Sequence, residues 1–245
     1  WFNSAYHRDA FCQALGTYLG RLPKPSLRGE VGELLARSQV HCPGIADLGA
    51  SGRNECGPLH VVWPHRWEHD KGPECLFAAL EKLQVQGVPF VVSVVGESFR
   101  QVPPVFAQAR ERLGDRVAVW GYQESREAYL QTLAQADVVV STANHEFFGI
   151  AVLEAVCAGC FPLVPNRLAY PETLAPCGPS VFFDGSPGDL AAKLGSLAAA
   201  KAEGQELWSR SECDAQTVVA PYRWQATAEA MDASLELLVE ECSER

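Results

Sequence analysis

Residues 137–158 read DVVVSTANHEFFGIAVLEAVCA. Asp137–Ser141 is a short apolar run rich in β-branched residues, the pattern of a strand buried on both faces. A polar stretch over 142–149 follows and ends on a glycine. Gly149–Ala158 then reads as a helix, almost wholly apolar except for Glu154. Strand, loop and helix in that order are half of a βαβ unit, and that reading sets the fold.

The same rhythm runs outward in both directions. Strands are expected at His60–Trp63, Phe90–Val95, Val117–Trp120, Phe161–Val164 and Val181–Phe183. Helical patterns fall between and after them at Pro73–Gln86, Pro104–Leu113, Arg126–Ala136 and Leu190–Ala200, and a long amphipathic helix spans Trp224–Val239. Short apolar strands alternating with helices predict an α/β, doubly wound parallel sheet, covered by helices on both faces. In such sheets ligands sit beyond the carboxyl ends of the strands. The loops that matter are therefore 64–72, 96–103, 121–125, 142–149 and 165–172.

Before residue 59 the pattern differs. Two helical pieces, Asp9–Leu22 and Leu27–Arg37, are separated by Pro23 and Pro25, and residues 41–58 have the Gly, Ser and Pro content of a linker. Residues 1–57 hold six Lys/Arg against five Asp/Glu, whereas 58–245 hold fourteen against twenty-five. A bulk this acidic argues against non-specific nucleic-acid binding, so any bound anion has to be held by a few placed cations and backbone amides. The apolar runs are too short to cross a bilayer, and no signal peptide is apparent. The nine cysteines read as reduced thiols, with Cys157 and Cys160 closing a helix as packing residues.

Two loops carry chemistry. Trp63-Pro-His-Arg66-Trp-Glu-His-Asp-Lys71-Gly72 places two cations in a loop that opens a helix, a site for a multiply charged anion such as a diphosphate. Surface pairing with Glu68 and Asp70 fits the same residues. His65, Glu68 and His69 have no third ligand at useful spacing, so no metal is expected there. In the second loop, Glu146 precedes the helix and Glu154 lies about 8 Å further along it. That spacing suits two carboxylates gripping hydroxyls at opposite ends of one extended ligand, with free N–H groups at the helix start facing its phosphates. Capping by Glu146 and exposure of Glu154 are the plainer alternative. An unpartnered Glu154 in so apolar a helix is costly, which favours a polar ligand.

Taken together, Arg66-x4-Lys71-Gly72, Gly121 after a strand, Glu146-Phe-Phe-Gly149-x4-Glu154-Ala, Gly159, Pro162 and Pro171-Glu172 resemble the donor domain of retaining glycosyltransferase family 4. Glu146 and Glu154 match its E-x7-E motif, and the likeness covers most of residues 59–240. More narrowly, Trp63–Lys71 and His145–Gly149 resemble the tRNA-queuosine mannosyltransferases within that family.

The resemblance implies a GT-B fold, with residues 1–57 a remnant of the acceptor domain plus linker. It makes residues 58–245 the nucleotide-sugar-binding domain, whose last helix returns from Tyr222 onward. It implies Arg66, Lys71 and Glu146 as catalytic residues: the cations bind the leaving diphosphate in place of a metal, and Glu146 bonds sugar hydroxyls. Donor binding falls to the Phe147, Phe148, Gly149 and Ile150 backbone, to Glu154 on the ribose, and to Gly121 and Glu124, the last accepting from guanine. The implied donor is GDP-mannose, with no further cofactor and no metal. The implied acceptor is queuosine in a tRNA anticodon, without membrane, in the cytoplasm and also the nucleus. A catalytically silent binding module and a transferase with a lipid or glycan acceptor are the alternatives.

Overall fold

A computed structural model of the protein describes residues 1–22, 28–48, 57–99 and 101–243. Six strands form one parallel sheet: β1 (Leu59–Pro64), β2 (Phe90–Val95), β3 (Val117–Gly121), β4 (Val138–Val140), β5 (Phe161–Pro165) and β6 (Phe182–Phe183), in the order β3-β2-β1-β4-β5-β6. Between them run α3 (Pro73–Val85), α4 (Val105–Leu113), α5 (Arg126–Gln135), α6 (Ile150–Cys157) and the short α7 (Tyr170–Thr173). After the sheet come α8 (Pro187–Ala202), α9 (Ala215–Val219) and α10 (Trp224–Ser243). This is the α/β doubly wound fold that the sequence predicts; from β1 to β6 the boundaries differ from the expected ones by a residue or two, whereas α8 starts three residues earlier than expected and α10 runs four residues beyond Val239.

The reason is burial on both sheet faces. Every residue of β4 and β5 is buried, and β1 and β2 each leave one residue partly exposed. Trp63, Leu80, Phe90, Phe106, Leu133 and Phe161 form the middle of the core. Successive side chains of a strand point to opposite faces, so an unbroken apolar run is stable only when helices cover both. Order 3-2-1-4-5-6 reverses direction between β1 and β4, which opens a crevice at their carboxyl ends.

Ahead of the sheet lie α1 (Ala5–Leu19) and α2 (Arg28–Arg37). The first starts four residues earlier than the periodicity predicts, because the Ser4 hydroxyl caps it by accepting from the His7 N–H at 3.0 Å. Pro23, Pro25 and the expected helix start at Leu27 lie outside the described residues, as does 49–56 of the expected linker. Residues 41–48 are not a free connector. Ile45 is buried, its N–H donates to the Tyr222 carbonyl at 2.8 Å, and its carbonyl accepts from the Trp224 N–H at 2.9 Å. The last helix is thereby tied to the start of the chain, and Ser234 on α10 bonds Gln39. Glycine and proline content reported bends here, and one buried isoleucine decided that the segment packs. None of the seven cysteines whose side chains are described forms a disulfide.

Candidate active site

The loops after β1 and β4 meet at the reversal of strand order. Gly72 has φ +63°, and a Cβ there would stand 2.3 Å from the Thr142 carbonyl oxygen, so only glycine lets the two loops close. Trp63 Nε1 donates to the Thr142 hydroxyl at 3.0 Å, and that hydroxyl donates to the Lys71 carbonyl at 2.8 Å. The Asp70 carbonyl accepts from the N–H groups of Asn144 and His145. These bonds fix Lys71 against the second loop.

Lys71 is the best-defined group of the site. Its side chain is 8% exposed, and Nζ lies 2.7 Å from the His145 carbonyl, 3.2 Å from Asp70 Oδ2 and 3.5 Å from Glu146 Oε2. An ammonium has three donors, and three oxygens surround this one. Arg66 is placed differently. Its backbone lies against Gly96 at the end of β2, while its half-exposed guanidinium pairs with Glu68 at 3.3 Å. Surface pairing, the plainer of the two sequence readings, describes Arg66 as it stands.

Glu146 occupies the mouth of α6. Oε1 accepts from the N–H groups of Phe147, Phe148 and Gly149 at 3.1, 3.4 and 3.2 Å. Those N–H groups are therefore not free to face a phosphate, as the sequence reading expected. A carboxylate one residue upstream reaches a nest of amides more easily than any external anion. Ile150 and Ala151, in the first turn, have no carbonyl one turn back to receive their N–H groups. Gly149 has φ +88°, and a Cβ there would meet Tyr170 Cε1 at 2.8 Å. Tyr170 is fully buried and donates to the Ser141 hydroxyl at 2.6 Å.

The two phenylalanines point away from this mouth. Phe148 is buried against Tyr222, with ring centroids 5.5 Å apart. Phe147 stacks on His7 of α1 at 4.1 Å and meets His145 edge-on, and its carbonyl accepts from the Ser4 hydroxyl. Glu172 completes that contact by accepting from the N–H groups of Ala5 and Tyr6 at 2.9 and 3.0 Å. The start of the chain thus rests on the motif loop, a long-range contact that no local pattern encodes.

Glu154, 9% exposed, does have protein partners. Arg126 Nη2 lies 2.9 Å from Oε1, and the Tyr129 hydroxyl donates to Oε2 at 3.1 Å. The sequence reading missed both. Their position in the loop and first turn after β3 was the available signal. Arg126 and Tyr129 also line a cleft of about 300 Å³ with Gly96, Tyr122 and Glu124. Gly121 ends β3 just beside it. The structure thus gathers Lys71 with Glu146, and Glu124 with the partners of Glu154.

His65 is an unforeseen member. It is buried, and loss of water around it pushes its pKa down to about 4, with Glu146 and Asp70 opposing and Lys71 assisting. Nε2 has no hydrogen-bond partner. Among the described residues no group of three or more His, Cys, Asp or Glu could hold a metal, and no helix is long and apolar enough to cross a membrane.

A sequence model described as "Glycosyl transferases group 1" matches residues 53–211, well over half of the chain. The chain belongs to the glycosyl transferases group 1 family. It is 49% identical over 114 residues to tRNA-queuosine alpha-mannosyltransferase of Drosophila melanogaster, covering 46% of this chain and 30% of that protein. It is 26% identical over 156 residues to glycogen synthase of Mycobacterium tuberculosis, covering 58% of this chain and 36% of that one. The chain spans about a third of the length of these curated relatives.

Among solved structures, sucrose-phosphate synthase from Thermosynechococcus elongatus superposes with a TM-score of 0.70 at 18% identity, over 95% of this chain and 62% of that one. HepE from Anabaena in complex with UDP superposes at 0.61 and 18% identity, over 95% and 63%. These two likenesses speak for the α/β, GT-B-like fold.

Proposed function

We propose that this chain is the donor-binding part of a retaining glycosyltransferase that moves mannose from GDP-mannose to queuosine in a tRNA, in the cytoplasm. The observation that carries the donor site is the meeting of Lys71 and Glu146 at the mouth of α6, 3.5 Å apart. Glu154 lies further along the same helix. The acceptor rests on the 49% identity to the Drosophila mannosyltransferase.

In this reading the diphosphate binds at the Ile150 and Ala151 N–H groups, which Glu146 leaves free at the start of α6, where the helix end favours negative charge. Arg66 turns from Glu68 toward it, since a half-exposed pair has little to hold it in place. Lys71 gives up its longest contact, to Glu146, for a phosphate oxygen. Cations fixed where charge builds on the leaving diphosphate speed its departure, and no metal is required. Glu146, released from Lys71, accepts from sugar hydroxyls. Glu154 accepts from the ribose hydroxyls, and Glu124, in the adjoining cleft, accepts from the N1–H and N2–H of guanine.

The decisive experiment incubates queuosine-containing tRNA and a panel of nucleotide sugars with the full-length protein, then weighs the released nucleoside. One added hexose from GDP-mannose alone is expected. Transfer of another sugar, or an unmodified nucleoside, rejects the reading. One observation favours a second reading, a nucleotide-sugar-binding module without turnover: residues 4–7 already engage Phe147 and Glu172. Tight GDP binding with no hydrolysis or transfer would support it.

A further inference from the structure

Glu154 stands on a helix whose other residues are almost all apolar, yet each of its carboxylate oxygens receives one hydrogen bond from α5. The two donors differ in kind. Tyr129 is largely buried, and burial together with the Glu154 charge raises its pKa far above that of an ordinary phenol, so its hydroxyl stays protonated. Arg126 is half-exposed at the N-terminus of α5, which Ser125 caps by accepting from the Ala128 N–H. One partner is fixed and the other exchangeable.

A carboxylate offers about four lone-pair sites, and this one has two of them filled. The remaining two, one on each oxygen, suit the two neighbouring hydroxyls of a ribose. An unheld glutamate would have to surrender rotamer freedom on binding. A carboxylate already held in plane does not.

We propose that Tyr129 and Arg126 are positioning residues that orient Glu154 toward a ribose diol and so set the preference of this site for ribonucleotides over 2′-deoxynucleotides. The proposal rests on the reading of Glu154 as the ribose acceptor and deepens it. Tyr129 fixes the plane from the buried side. Arg126 holds the other oxygen from the solvent side. The cleft that both residues line receives the base.

The test is calorimetry of GDP against 2′-deoxy-GDP, and of UDP against 2′-deoxy-UDP, with the wild type, Tyr129→Phe and Arg126→Gln. Using two bases separates the sugar question from the base question. The wild type is expected to prefer the ribonucleotide of whichever pair binds by about tenfold, the worth of one hydrogen bond to a charged group. Tyr129→Phe, which removes one oxygen atom, is expected to cut that preference to about threefold while changing deoxynucleotide affinity less than about twofold. Arg126→Gln is expected to act in the same direction.

A merely structural role would weaken both sugars equally and leave the ratio untouched. A wild type that discriminates, with both variants keeping the full ratio, overturns the positioning role alone. No ribose preference in the wild type, or no binding of either pair, removes the ribose reading of Glu154 and this inference with it.

Discussion

Replacing Lys71 by methionine is the sharpest perturbation of the site. The stem of Lys71 is buried, and methionine keeps most of its packing while deleting the charge. What remains is Asp70 and Glu146, whose oxygens stood 3.2 and 3.5 Å from Nζ, with no cation between them. At an effective dielectric near 20, each contact is worth about 5 kcal/mol of Coulomb attraction before desolvation is subtracted. Breaking a fully buried pair costs about 3–5 kcal/mol and an exposed one under about 1. Asp70 is 35% exposed and Glu146 is 21% exposed, so Lys71→Met should cost about 2–3 kcal/mol. Urea unfolding measures this as a lower midpoint at unchanged slope. Adding Glu146→Gln removes one stranded charge, so the double variant should lose about 1–2 kcal/mol less than the sum of the singles. GDP affinity should fall about tenfold or more in Lys71→Met. A loss under about 1 kcal/mol, or strict additivity, refutes the description of Lys71 as the cation binding the two loops.

Three further outcomes follow from the same geometry. His65 titrates near 4 when folded and near 6.5 when unfolded, so the unfolded chain binds more protons between those values and stability falls as pH drops through that window. The loss should approach about 3 kcal/mol and flatten in His65→Gln, and urea titrations at stepped pH would expose an unchanged slope if His65 is not responsible. Gly149→Ala forces a left-handed Cβ toward Tyr170 and should destabilise by about 2–4 kcal/mol, an expectation that a near-wild-type melting curve contradicts. Glu172→Ala strips the acceptors from the Ala5 and Tyr6 N–H groups, and hydrogen exchange at the start of α1 should speed up about tenfold while β4 stays protected. Equal exchange in both proteins would show that α1 is held by other contacts.

The strands show why so much of the fold was legible. A run such as Phe90–Val95 has one low-energy environment, a sheet covered on both faces, and its neighbours alternate with it at helical length. The first helix shows the limit. Its start was misjudged because a serine cap and a distant glutamate, 167 residues from Ala5, set it. Residues 41–48 read as linker for the same cause, since turn-forming composition says nothing about whether Ile45 finds a pocket.

The sequence by itself determined the alternation of strands and helices, the loops at the carboxyl ends of the strands, and the spacing of Glu146, before α6, from Glu154 within it. Each of these depends on neighbours within a few residues. Tertiary structure alone decided the pairings: Lys71 with Glu146, Glu154 with Arg126 and Tyr129, and a buried His65 with an unpartnered nitrogen. A side chain's charge and hydrogen-bonding capacity are written in the chain. Which opposite group shares its low-dielectric surroundings is set only when segments 25 to 75 residues apart are packed together.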